Sequence, residues 1–323
     1  MLLLPLLILF IGCSKDVSLD DNLMLQAKLS ASSHDEGPST ITFNEPDLFP
    51  EGLVYDNSRG GFYISSASFG KVGFVSMDGT YQSFITDPML TSTTGLKIDK
   101  ARKRLWVSNV ENGIGAYDLQ TGDRLFFTDL SALIPGAPVF INDVGLDPNG
   151  NAYVTNSFSP VIYKVNGDGD AEVFFNNEAF STGPGEFGFN GIQYDERGFL
   201  LVAFADKLIK MDADDPDNYS IVQLDADIYP DGLLLSKNGK QLIVVNNTGG
   251  SPGDAVYSFT TTDQWETGVL DNSFSTGPVF PTTVTSDGKS VYVLYSHLDK
   301  LLSGQSHESF TIQEIPFELK FPF

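Results

Sequence analysis

Beyond residue 39 the chain alternates short apolar runs with clusters of Gly, Pro, Asn and Asp. No stretch of ordinary helical length carries a 3.6-residue apolar period, so the pattern predicts strands and turns. The runs follow one plan. An apolar segment leads into a tight turn such as Asp147-Pro148-Asn149-Gly150, Asp195-Glu196-Arg197-Gly198 or Lys237-Asn238-Gly239, where Asx-Gly supplies the positive φ of a hairpin. A second strand follows at 61–65, 104–108, 152–155, 200–203, 241–245 and 291–294. Third strands fall at 72–75, 115–117 and 161–164, and fourth strands at 81–84, 171–175 and 220–224.

Aligning the copies on a polar residue just before the turn gives Asp56, Asp99, Asp147, Asp195 and Ser236, with a shifted sixth near Ser286. The spacing of 41 to 50 residues is that of propeller blades, not of helical solenoids. A parallel β-helix would need shorter repeats. Six copies of four antiparallel strands predict an all-β, six-bladed β-propeller, which leaves only short strand edges. The ring must be closed by joining its ends. Thr40–Phe43 precedes the first copy and Phe310–Ile315 follows the last, so the N-terminal strand is predicted to join the last blade.

A second register carries the candidate chemistry. Five positions before the turn markers stand Glu51, Thr94, Asn142, Asn190 and Asp231. A residue at the start of the innermost strand of a blade points at the central channel, so these positions converge from far apart in sequence. Two carboxylates and two amide oxygens form a hard, all-oxygen set that suits Ca²⁺, or another divalent cation in its place. Zinc would call for His or Cys, and His34, His297 and His307 all lie outside this register. The competing reading is that Asp231-Gly232 and Asn190-Gly191 are turn dipeptides. It leaves Glu51 at the same register unexplained.

Composition adds bounds. The 42 acidic residues against 19 basic ones give a formal charge of −23, which excludes a nucleic-acid partner that would need a Lys/Arg surface. The 31 Gly and 17 Pro fit a turn-rich fold. Met1–Gly12 is almost wholly apolar, too short to span a bilayer but suited to the core of a secretory signal peptide. Cys13, the only cysteine, follows a small residue at the end of that run, as in the lipobox of bacterial lipoproteins, although no Lys or Arg precedes the run. The expected organisation is a signal segment over residues 1–13 with lipidation at Cys13, a polar tether over 14–38, and a single propeller over 39–323. The protein is expected to be exported and monomeric, meeting a membrane only through that lipid.

Pro50-Glu51-Gly52, Asn142-Asp143, Phe189-Asn190-Gly191 and Pro230-Asp231-Gly232, in that order, resemble the gluconolactonase, senescence-marker-protein-30 and luciferin-regenerating-enzyme superfamily over residues 45 to the end. The resemblance implies a six-bladed propeller that hydrolyses lactones or carboxylic esters, or phosphotriesters as related propellers do, with one channel Ca²⁺. It implies Glu51, Asn190 and Asp231 as metal ligands, Asn142 as a further contact to metal or substrate, and Asp231 as general base or nucleophile. Thr94, Asp143, Phe140 and Tyr229 are the accompanying candidates for substrate contact. Sugar-lactonase members carry Arg two residues before the Asn of the Asn-Asp motif, where this chain has Phe140. With Phe49, Phe189, Tyr229 and Phe280 also near the inner register, the pocket is expected to take a more apolar lactone or ester than gluconolactone. Packing between blades is the other reading of those aromatics. His297 is a candidate accessory acid or base, weighed against a surface-loop role. The rival functions are a non-catalytic propeller lipoprotein that binds a ligand at its rim, and a strictosidine-synthase-like enzyme, which does not use this metal set.

Overall fold

In the computed structural model the described residues are 39–317 and 320. The expected signal segment, the lipidation site at Cys13 and the tether lie outside them.

Six small sheets are formed from strands in nearly unbroken sequence order. The first blade contains β2 (Leu53–Asp56), β3 (Gly61–Ile64), β4 (Lys71–Ser76) and β5 (Tyr81–Thr86). The second contains β6 (Thr93–Asp99), β7 (Arg104–Asn109), β8 (Gly113–Asp118) and β9 (Arg124–Asp129). In the third are β10 (Ile141–Leu146), β11 (Ala152–Asn156), β12 (Val161–Val165) and β13 (Ala171–Asn176), and in the fourth β14 (Phe189–Asp195), β15 (Phe199–Phe204), β16 (Lys207–Asp212) and β17 (Tyr219–Ile221). The fifth is built on β19 (Pro230–Leu235), β20 (Gln241–Asn246), β21 (Ala255–Thr260) and β22 (Thr267–Ser275). The sixth joins β23 (Pro281–Ser286), β24 (Val291–Tyr295) and β25 (Ser309–Ile315) to β1 (Thr40–Asn44).

That last pairing closes the ring, as the sequence predicts. β1 lies antiparallel to β25 from Thr40 opposite Gln313 to Asn44 opposite Ser309. Phe43, buried to 1% exposure, is held between Tyr81 of the first blade and Phe310 of the last. The fifth blade departs from the four-strand plan. The segment expected as one strand at 220–224 divides at the buried Val222, and β18 (Gln223–Leu224) crosses over to pair in parallel with β22. Burying Val222 in the core between these two blades draws the chain from one sheet edge to the next.

The hydrophobic core is divided into six clusters, each between two neighbouring blades. Between the sixth and first blades, for example, Ile41, Phe43, Leu294 and Phe310 meet Leu53, Phe62 and Ile64. Each sheet is thus apolar on both faces, which explains why second strands such as Leu-Leu-Val-Ala at 200–203 read as continuous apolar runs. The turn markers sit at the far ends of the inner strands. There Asp56 Oδ1 accepts from Ser58 N at 2.8 Å, Asp147 Oδ1 from Asn151 N at 2.9 Å, and Asp195 Oδ1 from Arg197 N at 2.9 Å.

Candidate functional site

Five of the six inner strands break register at one place. The irregularities lie between Thr93 and Leu96, Ile141 and Val144, Phe189 and Ile192, Pro230 and Leu233, and Pro281 and Val284. Thr94, Asn142, Asn190, Asp231 and Thr282 occupy those breaks. A bulge adds a residue without a ladder partner and re-aims its side chain, so four of the five positions of the repeat register are bulges, while Glu51 lies just before the unbroken β2.

The glycine that follows most of these residues closes the ring. A Cβ at Gly52 would sit 2.2 Å from the carbonyl oxygen of Thr94, and one at Gly95 would sit 2.6 Å from Asp143 Cα. One at Gly191 would lie 2.2 Å from the carbonyl oxygen of Asp231, and one at Gly232 would lie 2.6 Å from Thr283 Cα. Each glycine therefore admits the backbone of the next blade. None of the four has positive φ, so the turn-dipeptide reading does not describe them. In the third blade Asp143 replaces the glycine and reaches across instead, its Oδ2 accepting from Ile192 N at 3.2 Å.

Hydroxyls complete the links. Thr282 Oγ1 donates to the carbonyl of Glu51 at 2.8 Å, Thr94 Oγ1 to that of Asn142 at 2.9 Å, and Thr155 Oγ1 to that of Asn190 at 2.9 Å. Glu51, Thr94, Asn142, Asn190, Asp231 and Thr282 thus follow one another around the axis, each tied to its neighbours through backbone.

The electrostatics of the ring are those of a buried cluster of carboxyl groups, in which Lys97 opposes only the charge of Asp143. Burial pushes the Glu51 carboxyl well above the usual carboxylate range, and the charges of Asp231 and Asp143 push it further. Burial likewise raises Asp231 to about 7, against hydrogen bonds from Asn247 and Asn190, with Asp143 adding to the rise. Asn247 Nδ2 donates to Asp231 Oδ2 at 2.8 Å. Asn142 is buried, and its Nδ2 donates to Ser157 Oγ at 2.8 Å while its Oδ1 has no partner. A buried amide oxygen with nothing to accept from marks a place for a donor or a cation.

Among the described residues no group of three or more His, Cys, Asp or Glu side chains is gathered to hold a metal ion. The ring offers a different donor set, two carboxylates and two amides. Its oxygen-only chemistry and the orphaned Asn142 Oδ1 fit a hard cation better than zinc.

The remaining sequence candidates fall in several places. Both Asp143 oxygens accept from backbone, Oδ1 from Val144 N at 2.8 Å and Oδ2 from Ile192 N, and burial raises its pKa against the opposing charge of Lys97. Thr94 spends its hydroxyl on the carbonyls of Ile141 and Asn142. Phe49 and Phe189 pack between blades, whereas Tyr229 is 56% exposed. A cavity of about 460 Å³ beside Tyr229 is lined by Asp206, Ile221 and Asp227 and by none of the ring residues. His297 takes left-handed backbone and lies 4.4 Å, centroid to centroid, from His307; burial first and then the charges of His307 and Lys300 lower it to about 4, so it is neutral at physiological pH.

Sequence reasoning missed Lys97, Ser157 and Asn247. Lys97 stands three residues beyond Thr94 with its Nζ 3.2 Å from Gln193 Oε1, its pKa lowered by burial against the pull of Asp143. Ser157 and Asn247 each begin the connection after a second strand, a register that the sequence marks only by small polar residues.

Fold and ring together define a six-bladed propeller with a polar channel. Solved structures of similar shape include the major Malassezia sympodialis allergen Mala s 1, at TM-score 0.69 and 17% identity over 86% of this chain and 96% of that one. A gluconolactonase from Xanthomonas campestris matches at TM-score 0.62 and 14% identity, over 90% of this chain and 93% of that one. The calcium-binding regucalcin from Agrobacterium tumefaciens matches at TM-score 0.58 and 16% identity, over 84% and 92%. These neighbours share the propeller fold of this chain. At such identities the likeness extends to the fold alone. No protein-family model matches the sequence, and no curated protein matches it.

Proposed function

We propose that the chain is a Ca²⁺-dependent hydrolase of lactones or related esters, working in the channel ring. One observation supports this above the rest: the acceptor Asn142 Oδ1 is buried and unpartnered in the same ring as the carboxylates of Glu51 and Asp231, whose pKa values are both raised. A scaffold has no use for such a set, because each member costs stability unless something positive joins it.

Glu51, Asn142, Asn190 and Asp231 would hold the ion. Ca²⁺, or another divalent cation, bound there would polarise the acyl carbonyl and stabilise the charge that develops on its oxygen. Asp231 is the general base, or attacks directly as the nucleophile. As base it takes a proton from water while the water oxygen bonds to the acyl carbon. The acyl carbon–oxygen bond then breaks, and the leaving oxygen recovers the proton from Asp231, giving an acid and an alcohol. A cation bound beside Asp231 would favour its ionised form, the form that can accept a proton from water. Asn247, through its hydrogen bond to Oδ2, fixes which Asp231 oxygen is free.

Calorimetric titration with Ca²⁺ tests the reading, beside Asn190→Ala and a panel of lactones and esters run with and without chelator. One tight site lost in the variant, with hydrolysis abolished by chelator, is the expected result. Ca²⁺ binding without turnover of any substrate would leave a binding protein. No Ca²⁺ binding at all would overturn the proposal. The proposal includes export and a lipid on Cys13, for which mass spectrometry of the mature N-terminus is the check.

A further inference from the structure

The mouth of the channel carries a feature that none of the six inter-blade cores accounts for. Phe140, Phe158 and Phe187 touch one another, with ring centroids 4.9 Å apart for Phe140 and Phe158, 5.1 Å for Phe140 and Phe187, and 5.3 Å for Phe158 and Phe187. They belong to none of the core clusters. Phe187 is 49% exposed, and the other two are partly open. A contiguous aromatic surface left to water is uncommon and marks a binding site more often than a single exposed side chain does.

The three rings come from separate connections that backbone hydrogen bonds tie together. Phe140 directly precedes β10, Phe158 follows β11, and Phe187 lies two residues before β14. Asn156 Oδ1 accepts from the backbone N–H of Phe140 at 2.9 Å and of Phe158 at 3.1 Å. Ser157 N donates to the carbonyl of Phe140, and Gly188 N donates to that of Ser157, both at 2.8 Å. Ser157 is also the residue that holds Asn142 in the ring. The aromatic wall and the candidate ligand shell therefore share one support, with Phe140 two residues before Asn142 and Phe187 three before Asn190.

We infer that this wall is the subsite for the variable part of the substrate, and that it selects a neutral lactone or ester bearing an alkyl or aryl substituent. The inference rests on the hydrolase reading above. Flat rings supply apolar area and no hydrogen-bond donor, so they reward a hydrocarbon group and leave sugar hydroxyls unpaired. Phe158 also lines a cavity of about 580 Å³, together with Ile134, Ala137, Pro138 and Pro160 and with the polar Asn176 and Glu178. With a formal charge of −23, the protein as a whole repels an anionic sugar acid or phosphate ester.

The test compares δ-decanolactone with gluconolactone as substrates of the Ca²⁺-loaded full chain and of Phe187→Ala. In parallel, calorimetry follows the lactam analogue of δ-decanolactone, which binds without turnover. The wall predicts that the parent prefers the alkyl lactone and binds the lactam. Phe187→Ala, with an unchanged melting temperature, should lower both the preference and the lactam affinity by about tenfold. Lactam binding that depends on Phe187 with no hydrolysis of either lactone would sustain the wall and sink the hydrolase. Hydrolysis of both lactones at equal efficiency, unaltered by Phe187→Ala, would overturn the wall and leave the hydrolase standing. A parent that does not bind the lactam would also overturn the wall.

Discussion

Gly191 lies so close to the backbone of Asp231 that a methyl group on it would sit 2.2 Å from the Asp231 carbonyl oxygen. The contact crosses from the fourth blade to the fifth, at the residue to which the proposed chemistry assigns the base. Blade-to-blade spacing and the position of that carboxylate are therefore set by one missing side chain.

Gly191→Ala should cost about 1–3 kcal/mol of stability by overpacking, and should weaken Ca²⁺ binding because Asp231 must retreat. Gly198 is the contrast. It has φ +94° in a turn and nothing within 4 Å of a would-be Cβ, so Gly198→Ala should cost stability through backbone strain and leave Ca²⁺ affinity unchanged. Urea denaturation and calorimetry on the two variants separate the cases. Equal effects on Ca²⁺ would mean that the close approach does not position the ring.

Ser157 holds Asn142 from behind. Its Oγ accepts from Asn142 Nδ2 at 2.8 Å and donates to the carbonyl of Phe189 at 2.5 Å, so the amide is turned with its oxygen left free. Ser157→Ala should strand that buried amide nitrogen, at about 1–3 kcal/mol of stability. Loss of an outer-shell partner typically costs about 10–100-fold in metal affinity, and the same fall is expected for Ca²⁺ here. A variant that loses stability but keeps its Ca²⁺ affinity would show that Asn142 does not touch the ion.

The fold was legible because a propeller repeats its constraints. Turn glycines such as Gly150 and Gly198, with φ +86° and +94°, fixed the hairpins, and continuous apolar runs followed from blades buried on both faces. The ring register was legible for the same reason, since Glu51, Asn142, Asn190 and Asp231 recur at one position of the repeat. What the sequence left open was the role of the glycines beside it: Gly191 and Gly232 serve close approach across blades, which no local pattern distinguishes from a turn. The parallel crossing at Val222 was hidden because the segment is a plausible strand in either sheet. Phe158 and Phe187 escaped notice because they lie in connections, where sequence carries no register. Only the folded chain shows that they meet Phe140.

Asp231 links the site to stability through pH. Its ordinary value of 3.8 is raised to about 7 in the folded protein, chiefly by burial. Between those values the folded state holds a proton that the unfolded state has released. The stabilisation from the protonated group is therefore fully present below about 3.8 and is lost as pH rises toward about 7. Without metal, this group should make the protein less stable at pH 8 than at pH 5, and Ca²⁺ should reverse the order by occupying the ionised ring. Asp231→Asn keeps the shape and removes the charge, so at pH 8 without Ca²⁺ it should stabilise the fold, by about 1–3 kcal/mol, while abolishing hydrolysis. Thermal melts of both proteins at the two pH values, with Ca²⁺ and with chelator, check these stabilities. A variant less stable than the parent in chelator at pH 8 would mean that the Asp231 carboxylate has a partner cation within the protein itself, and Lys97 would be the first to replace.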